Sequence, residues 1–297
     1  MSVVATRKAP WPELAAGYPP AARWATWVGI NVSFVLGCIL VVGVVLTAIV
    51  GPWVAPYDPI AQDVRQRLAG PSASHLLGTD SFGRDILSRL LYGARTSLFI
   101  AGMAIGSSAL IGTFLGILAA HVRGWVDQVL ALATDFLLVF PTLVMSLMLV
   151  VAIGQGVKNV TMAMALAFLP RFIRLARGAA LAVEEEDYMM ASRAMGASNL
   201  RMMLRHVLPN ISSPVLILVT LWIGIGIEAE ASLSFLGLGV PQPEPSWGLM
   251  VRDGLKLVLT HPWQATYPIL AILVTVLGLN LLGDELRDRL DPRLQHG

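Results

Sequence analysis

The sequence of 297 residues has few of the charged groups with which soluble proteins build their surfaces. Only 13% of its residues are charged, whereas soluble domains contain roughly 25%. Lysine occurs three times, at Lys8, Lys158 and Lys256, and none of these lysines follows a glycine. The Gly-Lys-Ser/Thr core of a phosphate-binding loop is therefore missing. Any nucleotide energy that drives this chain must come from another polypeptide.

Cysteine and histidine are also scarce. Cys38 is the one cysteine of the chain, which excludes an internal disulfide. The five histidines show no metal-ligand spacing such as HExxH, and no Ser, His and Asp set is arranged for nucleophilic catalysis. A net charge of +2 gives no indication of nucleic-acid binding. We therefore predict no catalytic residue, no metal site, no cofactor on this chain and no nucleic-acid partner.

Apolar residues, in contrast, are abundant. They make up 56% of the chain, the mean hydropathy is +0.69, and uncharged runs reach the roughly 20 residues that cross a bilayer as a helix. This composition predicts an all-α integral membrane protein. The predicted spans are Trp24–Tyr57, Thr96–Ala120, Phe136–Val157, His206–Ile227 and Leu257–Gly283, with a sixth over Asn159–Leu181, where long arginine stems can reach the headgroups from Arg171, Arg174 and Arg177.

Six spans place both termini on one side of the membrane. Thirteen of the 21 Lys and Arg residues then fall on that side, which favours cytoplasmic termini. The first span is too long for a signal-peptide core and is expected to be retained. The predicted divisions are a cytoplasmic tail 1–27, a first transmembrane helix 28–54, an extracytoplasmic loop 55–95 ending in an interfacial helix with Arg84, Arg89 and Arg95, a five-helix core 96–283 and a cytoplasmic tail 284–297.

Glycine and proline mark positions inside the predicted spans. Gly102 with Gly106, and Gly112 with Gly116, form two GxxxG steps that permit close helix packing in lipid. The steps lie on different faces, so we expect the second span to be packed on two sides. Pro141 and Pro214 should each bend a helix and shape a cavity.

A hydrophilic segment, residues 184–209, interrupts the apolar sequence. The acids Glu184 to Asp187 predict a helix start and Gly196 a helix end, and Ser198 or Asn199 can cap a second helix that stops near Pro209. Helices this short need a supporting surface. The membrane interface, the chain's own bundle and a soluble partner all remain open. The side chains expected to make the contact are Leu200, Met203, Leu204 and Val207 as an apolar stripe, together with Met189, Met190 and Met202.

Residues 187–209 resemble the cytoplasmic coupling loop of binding-protein-dependent ABC importer permeases. The loop pattern of that family is Glu-Ala-Ala, three residues, Gly, nine residues, Ile, one residue and Leu-Pro. Gly196, Leu208 and Pro209 match the pattern at the required spacing. The sequence departs from it at three positions, which are Met190 for Glu, Ser192 for the second Ala and His206 for Ile.

The resemblance extends over residues 52–294 and narrows to C-type permeases of the dipeptide, oligopeptide and nickel group. It is carried by LLGTDSFGRDILSRLLYGARTSL at residues 76–98, EASLSFLGLG at 230–239, PSWG at 245–248 and NLLGDELRDRLDPRL at the C-terminus. The resemblance implies a six-helix MetI-like bundle in a bacterial inner membrane that imports dipeptides or oligopeptides. Nickel chelates, glutathione or other small solutes are the alternative substrates.

The partners of this chain follow from the same resemblance. They are a homologous B-type permease, two ATPase subunits that bind ATP and Mg, and an extracytoplasmic substrate-binding protein that meets residues 58–95 and the loop of Pro241, Pro243, Pro245 and Trp247. The residues that the resemblance assigns to ATPase coupling are Tyr188, Met190, Ala191, Ser192, Arg193, Gly196, Ala197, Leu200, Arg205, Leu208 and Pro209.

Three acidic residues are candidates for the translocation path, because carboxylates at membrane depth are costly and are often functional. Asp135 and Glu230 have counterparts in similar permeases and are interpreted as structural or capping. Glu228 replaces a residue that is usually apolar, and we expect it to face the path and to favour a cationic group. A rival hypothesis is a proton-coupled secondary transporter that uses all three as a relay.

Overall fold

A computed structural model describes residues 32–290 of the chain, with side chains to residue 287. Residues 1–31, which hold the predicted tail 1–27 and the start of the predicted first transmembrane helix, and residues 291–297 lie outside the described residues. The described part is helical and has no strand, only a single bridge between Thr79 and Asp85, which confirms the all-α class there. The helices are α1 Val32–Val54, α2 Ile86–Val122, α3 Gly124–Leu138, α4 Thr142–Ile153, α5 Val157–Glu184, α6 Asp187–Ala194, α7 Asn199–Met202, α8 Leu208–Phe235, α9 Trp247–Leu255 and α10 Trp263–Leu290.

Four helical stretches of the described residues are long and apolar enough to cross a membrane, and α3 with α4 forms a fifth if this bent pair counts as one span. The four are α1, α2, Asn199–Phe235 and Trp263–Arg287. Helix α5 has 28 residues, a length of about 42 Å, but it carries three arginines and is not among them. The count of six spans therefore stays a prediction. Helix α10 continues to Leu290, so the tail expected from residue 284 begins as helix.

The expected kink at Pro141 is a break. Helix α3 ends at Leu138, α4 begins at Thr142, and the two helices meet at 94°. A proline lacks the N–H that a continuing helix needs, and its ring crowds the carbonyl four residues earlier. The prediction of one continuous helix over Phe136–Val157 is therefore wrong, because this stretch contains the end of α3, a sharp bend and α4. Pro214 lies inside α8, where a bend was expected.

Helices α2 and α5 form the central pair of the bundle. A Cβ atom added at Gly112 would lie 2.6 Å from the Cβ of Phe172, and one added at Gly116 would lie 2.7 Å from the Cβ of Ala176. These glycines therefore allow the two helices to approach closely. A Cβ at Gly102 or Gly106 would meet no atom within 4 Å. The expectation of close packing at the first GxxxG step is thus wrong within the described residues, whereas the expected packing of α2 on two sides is confirmed by its contacts with α5 and α8.

The segments 55–85 and 236–246 form a cap over one end of the bundle, where α2 begins. Asp85 caps α2 by accepting a hydrogen bond from the backbone N–H of Ser88 at 2.7 Å. Arg84 is buried and donates to Asp80 at 2.6 Å, and Arg89 is buried in the first turn of α2. The predicted interfacial helix is therefore wrong, because residues 86–95 are the first turns of α2. Only Arg95 of its three arginines is exposed.

Arg89 joins the two parts of the cap. Its guanidinium donates to the carbonyl of Pro59 at 2.9 Å and to the carbonyl of Pro243 at 3.3 Å. The indole of Trp247 donates to the carbonyl of Leu90 at 3.1 Å, which fixes the start of α9 to α2. The cap is therefore held to α2 by side chains of the chain itself.

Candidate functional site

Helix α6 forms the first half of the hydrophilic segment. It runs from Asp187 to Ala194 and ends in a turn at Gly196, whose φ of +79° suits a residue without a side chain. Asp187 lies in the first turn, where the helix dipole favours an acid. Glu184 does not belong to this helix start as expected, because it is the last residue of α5. At eight residues, α6 is shorter than the roughly 12 to 15 that hold an isolated helix together.

The second half of the segment is continuous with the membrane helix that follows it. Helix α7 passes through a π-helical turn, Met203–Val207, directly into α8. Pro209 is near the start of α8 and cannot donate to the carbonyl of Arg205, which its ring would also crowd. The wider π turn accommodates this missing bond. The second helix was expected to stop near Pro209, and this expectation is wrong.

One face of the hydrophilic segment is packed on the bundle. Met189, Met202, Met203 and Val207 are buried in a cluster with residues of α2 and α5, namely Ile117, Ala120, Ala176 and Ala180. Only half of the predicted apolar stripe takes part, since Leu200 and Leu204 are exposed. The buried face is centred on Met202, Met203 and Val207, so that Leu200 and Leu204 fall on the exposed edge of the predicted stripe. The chain's own bundle is therefore one of the surfaces that support this segment.

The opposite face carries large apolar side chains that nothing in the described part of the chain covers. Met190 is 58% exposed, Met195 82% and Leu200 63%. Isolated exposed apolar residues are common, but these three and Tyr188 are concentrated on a segment of 26 residues that follows α5. An adaptable apolar surface of this kind suits contact with another protein.

The predicted coupling residues divide between the two faces. Ser192 is buried, and its hydroxyl donates to the carbonyl of Tyr188 at 2.8 Å. Ala197 is half-buried. The remaining nine are exposed, and they are Tyr188, Met190, Ala191, Arg193, Gly196, Leu200, Arg205, Leu208 and Pro209.

A charged cluster that the sequence did not indicate lies behind this segment. The carboxylate of Glu184 contacts His121 Nδ1 at 2.5 Å and accepts a hydrogen bond from Arg193 at 2.9 Å. His121 is the penultimate residue of α2, 63 residues before Glu184. No local sequence pattern can pair residues so far apart. In the sequence, Glu184 is also indistinguishable from the three acids that follow it.

The three candidate path carboxylates occupy different environments. Asp135 on α3 forms an exposed ion pair with Arg174 of α5, next to a second pair in which Arg177 donates to Asp127 at 2.8 Å. Glu228 is exposed on α8, and Glu230, two residues further, is fully buried. Within residues 32–290 these carboxylates share no hydrogen bond or ion pair, so the structure does not connect them as a relay.

Glu230 lies among three buried serines. Ser234 donates to Glu230 Oε1 at 2.7 Å, and Ser246 lies 3.3 Å from the Ser234 hydroxyl. Ser97 accepts from the backbone N–H of Trp247 at 3.2 Å. These contacts join α2, α8 and the cap, in agreement with a structural interpretation of Glu230. Among the described residues no group of His, Cys, Asp or Glu has the arrangement of a metal site.

Models of known families match two parts of the chain. A model described as binding-protein-dependent transport system inner membrane component matches residues 112–296, and one described as the N-terminal TM domain of oligopeptide transport permease C matches residues 31–71. The chain is 37% identical over 265 residues to the dipeptide transport system permease protein DppC of Alkalihalophilus pseudofirmus, which covers 89% of this chain and 87% of the relative. It is 41% identical over 258 residues to the glutathione transport system permease protein GsiD of Shigella dysenteriae, covering 86% and 85%.

Proposed function

The chain belongs to the family of binding-protein-dependent transport system inner membrane components, and on this premise we propose that it forms, with a homologous permease, the import path for dipeptides and oligopeptides. It is a membrane-spanning permease subunit and not a catalytic one. Peptide transport is supported by relatives that are themselves dipeptide or peptide permeases. We place the chain in the bacterial inner membrane with both termini in the cytoplasm, as the distribution of Lys and Arg favours.

The two-sided hydrophilic segment is the observation that carries this proposal. Its inner face is fixed to α2 and α5, while Met190, Met195 and Leu200 remain available on the other face. ATP and Mg bind to two separate ATPase subunits, since the sequence has no phosphate-binding loop. Those subunits bind the exposed face of the hydrophilic segment. The continuous helix Asn199–Phe235 transmits their movement into the membrane. A substrate-binding protein delivers peptide at the cap.

Glu228 is the residue of this chain that we assign to the path. It is exposed, and its carboxylate forms no hydrogen bond or ion pair with the described residues. A carboxylate that lines the path attracts the amino terminus of a peptide. Replacing Glu228 with Leu should weaken the uptake of peptides with a free amino terminus more than the uptake of N-acetylated peptides. If the variant and the parent take up free peptides equally well, and N-acetylated peptides equally well, Glu228 does not line the path.

Growth tests the peptide class directly. A strain lacking this chain should not grow on dipeptides as sole nitrogen source, and restoring the chain should restore growth. ATPase subunits should also co-purify with the tagged chain. Normal dipeptide growth of the deletion strain, with no other peptide transporter present, would contradict the proposal.

Glutathione is the second candidate substrate. The glutathione permeases among the relatives are 41% identical to this chain, and glutathione is itself a small peptide. The same deletion strain supplied with glutathione as sole sulfur source separates the two substrates. Loss of growth on glutathione alone would assign the chain to glutathione import.

A further inference from the structure

Glu184 is buried although it stands beside exposed acids. It is 6% exposed, whereas Glu185, Glu186 and Asp187 are all exposed. Burying a carboxylate is costly unless its oxygens are paired. Both oxygens are paired here, Oε1 with His121 and Oε2 with Arg193. The neighbouring acids offer a matched comparison, because they carry the same charge in the same stretch of chain.

The three residues of this cluster come from three helices. His121 lies in the last turn of α2, Glu184 ends α5, and Arg193 lies in the last turn of α6. Hydrogen bonds between charged groups are shorter and stronger than neutral ones. Apart from this cluster, α6 is held by few contacts, since Met189 and Ser192 are its only buried residues. Arg193, whose side chain is 60% exposed, links α6 to this buried carboxylate, so that Glu184 contributes to the orientation of α6.

We propose that Glu184 is a positioning residue that fixes α6 to the ends of α2 and α5, and that this clamp carries movement of α6 into α2. The proposal rests on the proposed function, in which α6 is gripped by an ATPase. The clamp provides a second route for this movement, in addition to the continuous helix Asn199–Phe235, which contains Pro209. The clamp consists of His121, Glu184 and Arg193.

Helix α2 is suited to carry such movement to the cap. Its 37 residues form a rod of about 55 Å, with His121 near one end and Arg89 near the other. At Gly112 and Gly116 it packs closely against α5, which favours a joint movement of the two helices. Arg89 binds the carbonyls of Pro59 and Pro243. A displacement at the clamp therefore reaches both parts of the cap.

The test compares Glu184→Gln with Glu185→Gln in the complete transporter, purified and reconstituted in liposomes. Amide exchange over residues 187–194 should be about tenfold faster in Glu184→Gln, because the carboxylate loses its charge-assisted bonds. The number of molecules of radiolabelled dialanine imported per ATP hydrolysed should fall, because movement of α6 no longer reaches α2 through the clamp. Glu185→Gln should match the parent in both measurements.

His121 provides a second and independent pair of variants. His121→Asn keeps an N–H near the position of Nδ1, whereas His121→Leu removes it. Import per ATP should fall in His121→Leu and largely recover in His121→Asn. This pair decides the question if Glu184→Gln does not assemble. Equal values for Asn and Leu, or faster exchange with unchanged import per ATP, would overturn the proposal.

The proposed function and the clamp fail in different ways. If the parent chain does not co-purify with ATPase subunits, the proposed function fails. If the subunits co-purify and import is normal, but Glu184→Gln and Glu185→Gln give the same exchange and the same import per ATP, only the clamp is wrong.

Discussion

The two ends of the bundle both bury paired charged side chains, but they differ in the apolar side chains that they expose. At the cap, Arg84 and Arg89 are buried and bind groups of the same chain, which closes that end. At the other end, the hydrophilic segment is buried on one face only and leaves Met190 and Met195 exposed. Buried arginines thus bind the cap to α2, although the cap also exposes apolar side chains such as Val64 and Leu76. In the proposed function the hydrophilic segment meets an ATPase subunit, and the cap meets a substrate-binding protein.

Substitutions at the adjacent residues Met189 and Met190 compare the two faces of the hydrophilic segment. They are expected to give the largest difference in stability. Met189→Asp places an unpaired carboxylate in the cluster with Ile117 and should lower the free energy of unfolding by about 3 to 5 kcal/mol. Met190→Asp should change it by less than about 0.5 kcal/mol but should reduce co-purification of the ATPase subunits. Thermal unfolding in detergent gives the first quantity and affinity purification the second. Similar stability losses in both variants would show that the two faces are not different.

Arg89 tests whether the cap is closed by its own side chains. Arg89→Met leaves the carbonyls of Pro59 and Pro243 without their donor, which should lower the free energy of unfolding by about 3 kcal/mol. Arg95→Met is the control, since Arg95 is exposed two turns further along α2. Thermal unfolding should separate the two variants clearly. An equal shift would contradict the assignment of Arg89 as the link within the cap.

The seam between α2 and α5 connects the two ends, and Gly116 tests it. Gly116→Val forces a side chain against Ala176 and should cost about 2 kcal/mol of stability. Gly106→Val adds the same atoms where no neighbour lies within 4 Å, and should change stability by less than about 0.5 kcal/mol. If the two valines are equally tolerated in a thermal unfolding assay, α2 and α5 are not in close contact at Gly116.

Exposed ion pairs should have the smallest effect. Asp135→Asn removes a pair with Arg174 in which both side chains are more than half exposed, so the expected cost is about 0 to 1 kcal/mol. Asp127→Asn breaks a less exposed, two-bond pair with Arg177 and should cost more. A large loss of uptake in Asp135→Asn with unchanged stability would instead return Asp135 to the translocation path.

The sequence predicted the helices better than it predicted their contacts. Apolar runs and turn residues are local features of the sequence. They were therefore enough to predict α1, α5 and the turn at Gly196. Pro141 was expected to bend a span and instead ends a helix, because sequence alone does not say whether neighbouring structure restores the lost bond. Of the two GxxxG steps, only the second meets α5, since the motif permits packing without naming a partner.

The charged clusters were the hardest part to predict. In the sequence, Arg84 and Arg89 resemble interfacial arginines. In the structure they are buried, because Asp80 and the carbonyls of the cap accept their hydrogen bonds. Glu184 differs from Glu185 through its pairing with Arg193 and His121, and His121 is distant in sequence. Burial of charge depends on partners that the fold brings together, and local patterns do not contain that information.

Site-specific photocrosslinking from position 190, compared with position 189, tests the central claim most directly. A benzophenone amino acid at either position, in cells that produce the whole transporter, reports the nearest neighbour of that side chain. Position 190 should crosslink to an ATPase subunit, and position 189 should crosslink within the chain. Crosslinks from position 190 that reach only lipid or the chain itself would contradict the account.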